Sequence, residues 1–130
     1  HGATVDANNT IQLGNSSMEF VNTSGTVTMA SDIRLKDNIT TLDDSLEKIK
    51  NIRGVSFTRN DLPNKNKKYI GVIAQELENI IPEVVNDNGS YKSVMYNNLV
   101  GLLIEGIKDL SDKNDKLEKE LSEVKKHLGL

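Results

Sequence analysis

The sequence contains no cysteine and no tryptophan, and only 4% of its residues are aromatic. Without cysteine, neither a disulfide framework nor a thiolate metal site is possible. The two histidines, His1 and His127, lie at opposite ends of the chain, which argues against a multi-histidine metal site. We therefore expect the protein to use neither a metal ion nor another cofactor.

Long apolar runs and basic clusters are missing as well. No run approaches the roughly 18 residues that a membrane span requires, and the start of the chain shows no signal-peptide pattern. The net charge is −3, whereas a nucleic-acid interface is basic and clustered. We expect neither a membrane nor a nucleic acid among the partners.

The apolar content is also low for a domain that folds as a monomer. Apolar residues make up 36% of the chain, and the 9 glycines add little to this. Soluble domains reach roughly 45–50% on a count that includes glycine. The shortfall indicates that part of the core comes from other copies of the chain.

Basic residues are absent from the first 33 positions, and all 16 of them lie from Arg34 onward. The opening stretch is rich in Asn, Thr, Ser and Gly, and its alternating runs predict short strands at 10–14, 17–22 and 25–30. Each run is too short to be stable alone. We interpret residues 1–30 as the C-terminal end of a β-rich passenger; the alternative is a flexible arm.

The segment that follows predicts an α+β domain of short elements. A helix is expected from Thr41 to about Gly54, and a shorter one over 74–81. Strand patterns lie at 55–59 and 69–74. Asn88-Gly89 stands between two strand-like runs, which is a strong signal for a hairpin.

From about residue 96 to 128 the pattern predicts one long helix in a coiled coil. Apolar residues recur at alternating spacings of three and four over four heptads. The a positions hold Val100, Ile107, Asn114, Leu121 and Leu128, and the d positions hold Leu103, Leu110, Leu117 and Val124. A helix packed only on its own domain is the alternative, but the other faces are almost wholly polar after Leu110, which favours partner helices.

Flanking charges favour a parallel arrangement of these helices. Lys113 at g would face Glu118 at e of a neighbouring helix, and Glu120 would face Lys125 in the same way. Each pair contributes only about 0.3–0.5 kcal/mol, but together they bias the orientation. Asn114 places an amide in the seam and fixes the register. The a and d residues alone do not choose between two and three strands.

Ser31 and Lys36 are the candidates for chemistry. With no cysteine and no usable histidine, a serine activated by a lysine is one of the few routes to a covalent mechanism. A lysine acts as the base only in its neutral form, which burial favours. A turn between the two residues would bring the amine to the hydroxyl. Spacing alone favours the non-catalytic alternative, in which Ser31 or Asp32 caps a turn and Arg34 and Lys36 are solvated or ion-paired.

The segment "SDIRLKDNI" (31–39) resembles the motif that opens the intramolecular chaperone domain of phage tail spikes, endosialidases and neck appendages, the S74 peptidase family. A second block, "YIGVIAQELENIIPEVV" (69–85), is similar to that family in Gly71, Ala74, Gln75, Glu76, Pro82 and Glu83. A third block, "YNNLVGLLIEGIKDL" (96–110), resembles the segment that leads into its coiled coil. The ordered set covers nearly all of residues 31–130 and leaves residues 1–30 uncovered.

The resemblance implies a parallel homotrimer that aligns its own upstream passenger chain, assists the folding of a trimeric β-helical fibre or spike, and then cuts itself off. The cut is expected between Ala30 and Ser31, with Ser31 as nucleophile and Lys36 as general base. Asp32, Arg34 and Asn38 are supporting candidates. Arg34, Asn38 or backbone amides are the candidate oxyanion donors, and the alternative for Asp32 and Arg34 is an ion pair that shapes the loop. Assembly would take place in the bacterial host cytoplasm, leaving the passenger in the virion tail and releasing the chaperone.

Three other functions are weighed against this one. A non-proteolytic trimerisation tip that binds a receptor would remain uncut. A membrane-released regulator with the same module would need a membrane span or a basic DNA-binding segment, and this stretch has neither. A metal- or nucleotide-dependent enzyme would need a ligand cluster or a Gly-rich phosphate loop, which the sequence does not contain.

Overall fold

The computed structural model describes residues 3–5, 10–15 and 17–130. The chain divides into two compact units. One comprises the described part of His1–Ile39 together with Ser56–Gly71, and the other comprises Thr40–Val55 together with Val72–Leu130. The predicted small mixed domain with a long C-terminal helix is confirmed.

Two pairs of short strands contribute to the first unit. Strand β1 (Ala3–Val5) runs antiparallel to β2 (Ile11–Leu13). Strand β3 (Val55–Thr58) is hydrogen-bonded to β4 (Lys68–Gly71). Leu62, in the loop between β3 and β4, is buried. Along each of these two strands, exposed residues alternate with half-buried ones.

The predicted N-terminal strands are only partly correct. The run at 10–14 contains β2, but residues 17–22 and 25–30 form no strand, so those two predictions are wrong. A strand needs a neighbour that pairs with its backbone groups, and the described chain places no strand beside these two runs. Residues 1, 2, 6–9 and 16 of the segment interpreted as the passenger end lie outside the described residues.

The second unit holds the main hydrophobic core. Leu77, Ile81, Val84 and Leu102 are each at most 6% exposed and pack together. They come from helix α2 (Ala74–Glu78), the turn that follows it, and the long helix α3 (Leu99–His127). Because these residues lie far apart in the sequence, their burial fixes the short elements against the first turns of α3.

Helix α1 (Ser45–Asn51) packs against α3, but it begins four residues later than predicted. Asp44 has a left-handed backbone (φ 50°) and makes no side-chain cap, so the helix starts after it. A residue with positive φ cannot belong to a right-handed helical turn, and the expected cap at Thr41 is therefore wrong. Helix α2 also ends earlier than expected, at Glu78, and Pro82 opens a separate 3-10 turn.

The predicted hairpin is confirmed. Strand β5 (Val85–Asn86) is antiparallel to β6 (Ser93–Val94), with Val85 opposite Val94. Asn88-Gly89 lies inside the longer loop of residues 87–92 rather than forming a two-residue turn. Gly89 has a φ of +87°, which glycine adopts without strain.

Helix α3 presents two different faces. Leu102 and Gly106 are buried, and this face packs inside the second unit, against the hydrophobic core and helix α1. The apolar residues at the predicted a and d positions are all exposed, between 48% and 66%: Val100, Leu103, Ile107, Leu110, Leu117, Leu121, Val124 and Leu128. From Ser111 onward every residue of the helix is exposed. Among the described residues, no helix is both long and apolar enough to span a bilayer.

Candidate active site

A single 3-10 turn, Ile33–Leu35, shapes the segment that carries the candidate nucleophile and base. Asp32 begins the turn, and its Oδ1 accepts a hydrogen bond from the Arg34 backbone N–H at 2.8 Å. The N–H of Leu35 donates to the Asp32 carbonyl at 3.0 Å. The turn brings Lys36 back toward the residue that precedes Asp32.

Lys36 and Ser31 meet across this turn. The Lys36 Nζ donates a hydrogen bond to Ser31 Oγ at 2.7 Å, and both residues are exposed in the isolated chain. Ser31 is bonded through its own nitrogen to the carbonyl of Ala30. Ser31 Oγ, Lys36 Nζ and the Ala30 carbonyl therefore lie within one short stretch of backbone, an arrangement that suits the predicted self-cleavage.

Arg34 and Asp32 form a two-pronged ion pair beside this contact. Arg34 Nε donates to Asp32 Oδ1 at 3.0 Å, and Nη2 donates to Oδ2 at 2.8 Å. These side-chain bonds, followed by the backbone bond from Arg34, hold the pKa of Asp32 below its ordinary value of 3.8. The same side-chain bond raises the pKa of Arg34. The pair therefore holds the turn in shape with one edge of the guanidinium already engaged.

Asn38 lies two residues beyond Lys36 and has a left-handed backbone, with φ 54°. Asparagine tolerates this region better than most residues with a side chain. The backbone alone therefore gives a reason for asparagine at this position, independent of any role in binding an oxyanion.

Three apolar side chains of the same segment face solvent. Ile33 is 72% exposed, Leu35 is 70% exposed and Ile39 is 63% exposed. They flank Ser31 and Lys36 along the chain. An apolar surface of this kind around a polar pair is typical of a segment that is covered in an assembly.

Two contacts made by residues of the second and third motif blocks were not foreseen from the sequence. Glu76 accepts hydrogen bonds from Arg53, and the Tyr96 hydroxyl accepts one from the Val72 N–H at 3.2 Å. Both join residues distant in the sequence, so no local spacing signals them. Within the described ranges, no group of three or more potential ligands is placed to hold a metal ion.

Residues 31–86 match the model of a family described as chaperone of endosialidase, named as S74 peptidases. The matched segment begins at Ser31 and includes the first two motif blocks, while the third block, 96–110, lies beyond it. The chain is also similar to the long tail fiber protein Gp37 of Enterobacteria phage K3 and to that of phage T2. Each is 29% identical over 102 residues, which is 73% of this chain.

These relatives are much longer proteins, and the chain spans 8% of the length of each. Over residues 31–86 the chain is similar to the chaperone-of-endosialidase family, and over 102 residues it is similar to phage long tail fibre proteins.

Proposed function

We propose that residues 31–130 form a self-cleaving intramolecular chaperone, and that the end of its passenger fibre or spike precedes Ser31. The chaperone assembles as a parallel homotrimer, aligns three passenger chains for folding in the host cytoplasm, and cuts between Ala30 and Ser31. The observation that carries this proposal is the 2.7 Å contact between Lys36 Nζ and Ser31 Oγ. It lies at the start of the segment that matches the family.

The cleavage is a short intramolecular reaction. Ser31 Oγ attacks the Ala30 carbonyl carbon through a five-membered ring while the neutral Lys36 amine takes the hydroxyl proton. The C–N bond then breaks, the Ser31 nitrogen is protonated, and Ala30 is left as an ester on Ser31. Water hydrolyses that ester, giving the Ala30 carboxylate and restoring the Ser31 hydroxyl, and the Ser31 amine remains as the new N-terminus. Proximity supplies much of the rate.

Assembly is the step that would activate the base. Lys36 is exposed in the isolated chain, so its amine is in contact with water. Further copies that cover Ile33, Leu35 and Ile39 would remove water from the same segment. Burial favours the neutral amine, so cleavage would follow assembly rather than precede it.

The exposed seam of α3 supports the trimer. All eight apolar a and d residues are at least 48% exposed although they form one continuous row. Ile104, at an e position, is 51% exposed and widens the row at its start. A row wider than a strict a/d seam suits contact with two neighbouring helices, and Asn114 within it would fix the register.

Alignment explains why such a module assists a β-rich fibre. Bringing three disordered chains together in register has a large entropic cost, and a coiled coil at one end reduces it by raising the local concentration. Once the module is removed, an unfolded passenger has no template for reassembly. Its stability then depends on its unfolding rate.

The direct test is the intact mass of freshly purified protein, with wild type compared with Ser31→Ala. Fragments of residues 1–30 and 31–130 in the wild type alone would establish the cut and its dependence on the hydroxyl. Uncut chain in both would overturn the enzymatic part. The remaining function would be a trimerisation tip that stays attached.

A further inference from the structure

Lys67, at the end of the loop that precedes β4, contacts the N-terminal segment of the chain. Its Nζ lies 3.6 Å from the centroid of the Phe20 ring and 5.4 Å from that of Tyr69. A cation over an aromatic face is attracted by the ring quadrupole within about 6 Å. Lys67 therefore links an aromatic residue upstream of Ala30 to one in the β3–β4 pair.

An ion pair reinforces the same link. Lys67 Nζ lies 3.6 Å from Glu19 Oε2, and the two side chains are 31% and 24% exposed. Partial burial weakens the screening of this pair by water and salt. Lys67 thus makes an electrostatic contact and an aromatic contact with two successive residues of the upstream segment.

The partners are complementary in charge and in composition. The first 33 residues contain no lysine or arginine, whereas the β3–β4 loop and the start of β4 carry Lys65, Lys67 and Lys68. Phe57 and Tyr69 stack with their centroids 5.9 Å apart. Phe20 and Tyr69 both lie at Lys67, and Phe57 adjoins them through Tyr69, so three of the five aromatic residues of the chain form one group.

All of these residues belong to one compact unit, which also contains the bond between Ala30 and Ser31. The proposed cut therefore falls within a packed unit and not in a linker between two. Breaking that bond leaves every contact of Lys67 with Glu19 and Phe20 in place.

We infer that Lys67, with Tyr69 and Phe57 behind it, forms a non-covalent clamp that holds residues 19–20 of the passenger end to the chaperone after cleavage. This inference rests on the proposed function for its role, because only a cut chain needs a clamp. Cleavage and release are then two separate steps. The clamp keeps the passenger ends aligned until the contacts of Lys67 are broken.

The test separates the clamp from self-cleavage. In a Ser31→Ala chain, the recognition sequence of a specific protease is inserted after Gly25, where no other atom lies within 4 Å of a Cβ built on the glycine. Added protease then makes the nick. Size-exclusion chromatography and mass spectrometry measure how much of the upstream peptide stays with the remainder of the chain over time.

Two variants with the same change in charge are compared in this background. Lys67→Gln removes both contacts, and we expect the nicked peptide to dissociate about tenfold faster than from the parent. Lys68→Gln alters the exposed neighbour in β4 and should release the peptide at the parental rate. Lys67→Arg, which keeps the charge and the ring contact, should retain it. Salt near 1 M, where the Debye length is about 3 Å, should speed release from the parent more than from Lys67→Gln.

Equal release from Lys67→Gln and Lys68→Gln, whether fast or slow, would overturn the clamp. If Lys67→Gln lowers the thermal midpoint of the uncut chain, Glu19→Gln and Phe20→Leu test the same contacts from the released peptide without altering the β3–β4 pair. Failure of the wild type to cut itself would count against the proposed function alone, since the added protease makes the nick in these chains.

Discussion

Lys36 Nζ donates to Ser31 Oγ at 2.7 Å, whereas cleavage requires the same pair with donor and acceptor exchanged. The contact brings the two groups within reach of each other, and the proposed reaction requires a neutral Lys36 amine that accepts the hydroxyl proton. This relationship gives the first prediction, because a substituted side chain can keep the contact and lose the ability to act as a base.

Lys36→Arg should abolish cleavage although it retains a cation near Ser31, because a guanidinium is not deprotonated in proteins. Lys36→Ala should abolish it as well, and both variants should still assemble. Mass spectrometry measures the cut, and light scattering measures assembly. Lys65→Arg, in the exposed β3–β4 loop, is the control and should cut normally. Cutting by Lys36→Arg would rule out the lysine as base, and monomers of Lys36→Ala would contradict the separation of cleavage from assembly.

The Asp32–Arg34 ion pair predicts that the pKa of Asp32 depends on the Arg34 side chain. The folded pKa of Asp32 lies below the ordinary 3.8, so the stabilisation from this pair is present above the unfolded value and is lost as pH falls through the folded value. Arg34→Gln should move the Asp32 pKa back toward its ordinary value, as followed by carboxyl carbon NMR. Asp61, whose pKa is lowered by Arg59, should not move. An unchanged Asp32 titration in Arg34→Gln would contradict the pairing.

Substitutions at Asn38 distinguish a role for its backbone conformation from a role for its side chain in the reaction. Its φ of 54° predicts that Asn38→Gly retains cleavage, because glycine adopts this region freely. Asn38→Ala should lower the free energy of unfolding by roughly 1 kcal/mol and slow the cut. The cleavage half-time and the thermal midpoint are measured for each. Loss of cleavage in Asn38→Gly, with the fold intact, would instead assign the side chain to the reaction.

The close approach of Gly106 to Ile49 predicts that substitutions at these two positions have coupled effects on stability. A Cβ on Gly106 would collide with Ile49 Cδ1, whereas one on Gly101 would meet Leu42 Cδ1 at an ordinary 3.8 Å. Gly106→Ala should be less stable than Gly101→Ala by roughly 1–3 kcal/mol, because the end of the Ile49 side chain must shift to make room. Gly101→Ala should gain about 0.5–1 kcal/mol through helix propensity.

Ile49→Val removes the colliding methyl group and should recover part of the loss. We expect the loss of unfolding free energy in the double variant to be smaller, by roughly 1 kcal/mol, than the sum of the losses in the two single variants. Denaturant unfolding at fixed protein concentration measures these losses. Additive effects would mean that Ile49 is not the residue that Gly106 accommodates.

Asn114 tests the coiled coil. Asn114→Leu should raise the stability of the assembly by roughly 1–3 kcal/mol per chain, because a buried amide is removed. It should also broaden the distribution of oligomers, since register is less specified. Ser122→Leu adds the same side chain at a b position and should leave both properties unchanged. Thermal unfolding and light scattering measure them, and equal behaviour of the two variants would argue against a buried seam.

The parts of the molecule that follow from local spacing were predictable. Ser31 and Lys36 are five residues apart, and one turn joins them; the seam of α3 depends only on repeats along the sequence. The start of α1 was missed because Asp44 adopts a left-handed backbone that no residue pattern signals. The contacts of Lys67 with Glu19 and Phe20 were missed because they join distant segments. The sequence contains one indication of these contacts: Glu19 has no lysine or arginine nearby in the sequence, so a basic partner had to come from a distant segment.

In the proposed trimer, helix α3 serves two interfaces at once, with Leu102 and Gly106 toward α1 and the a and d row toward other copies. Successive residues of a helix are rotated by about 100°. A coiled coil formed one residue out of register would therefore rotate Gly106, together with the α1 helix packed on it, about the helix axis relative to the neighbouring copies. The register of the coiled coil thus sets the position of the domain that follows Ser31, and only chains in register place their three domains equivalently.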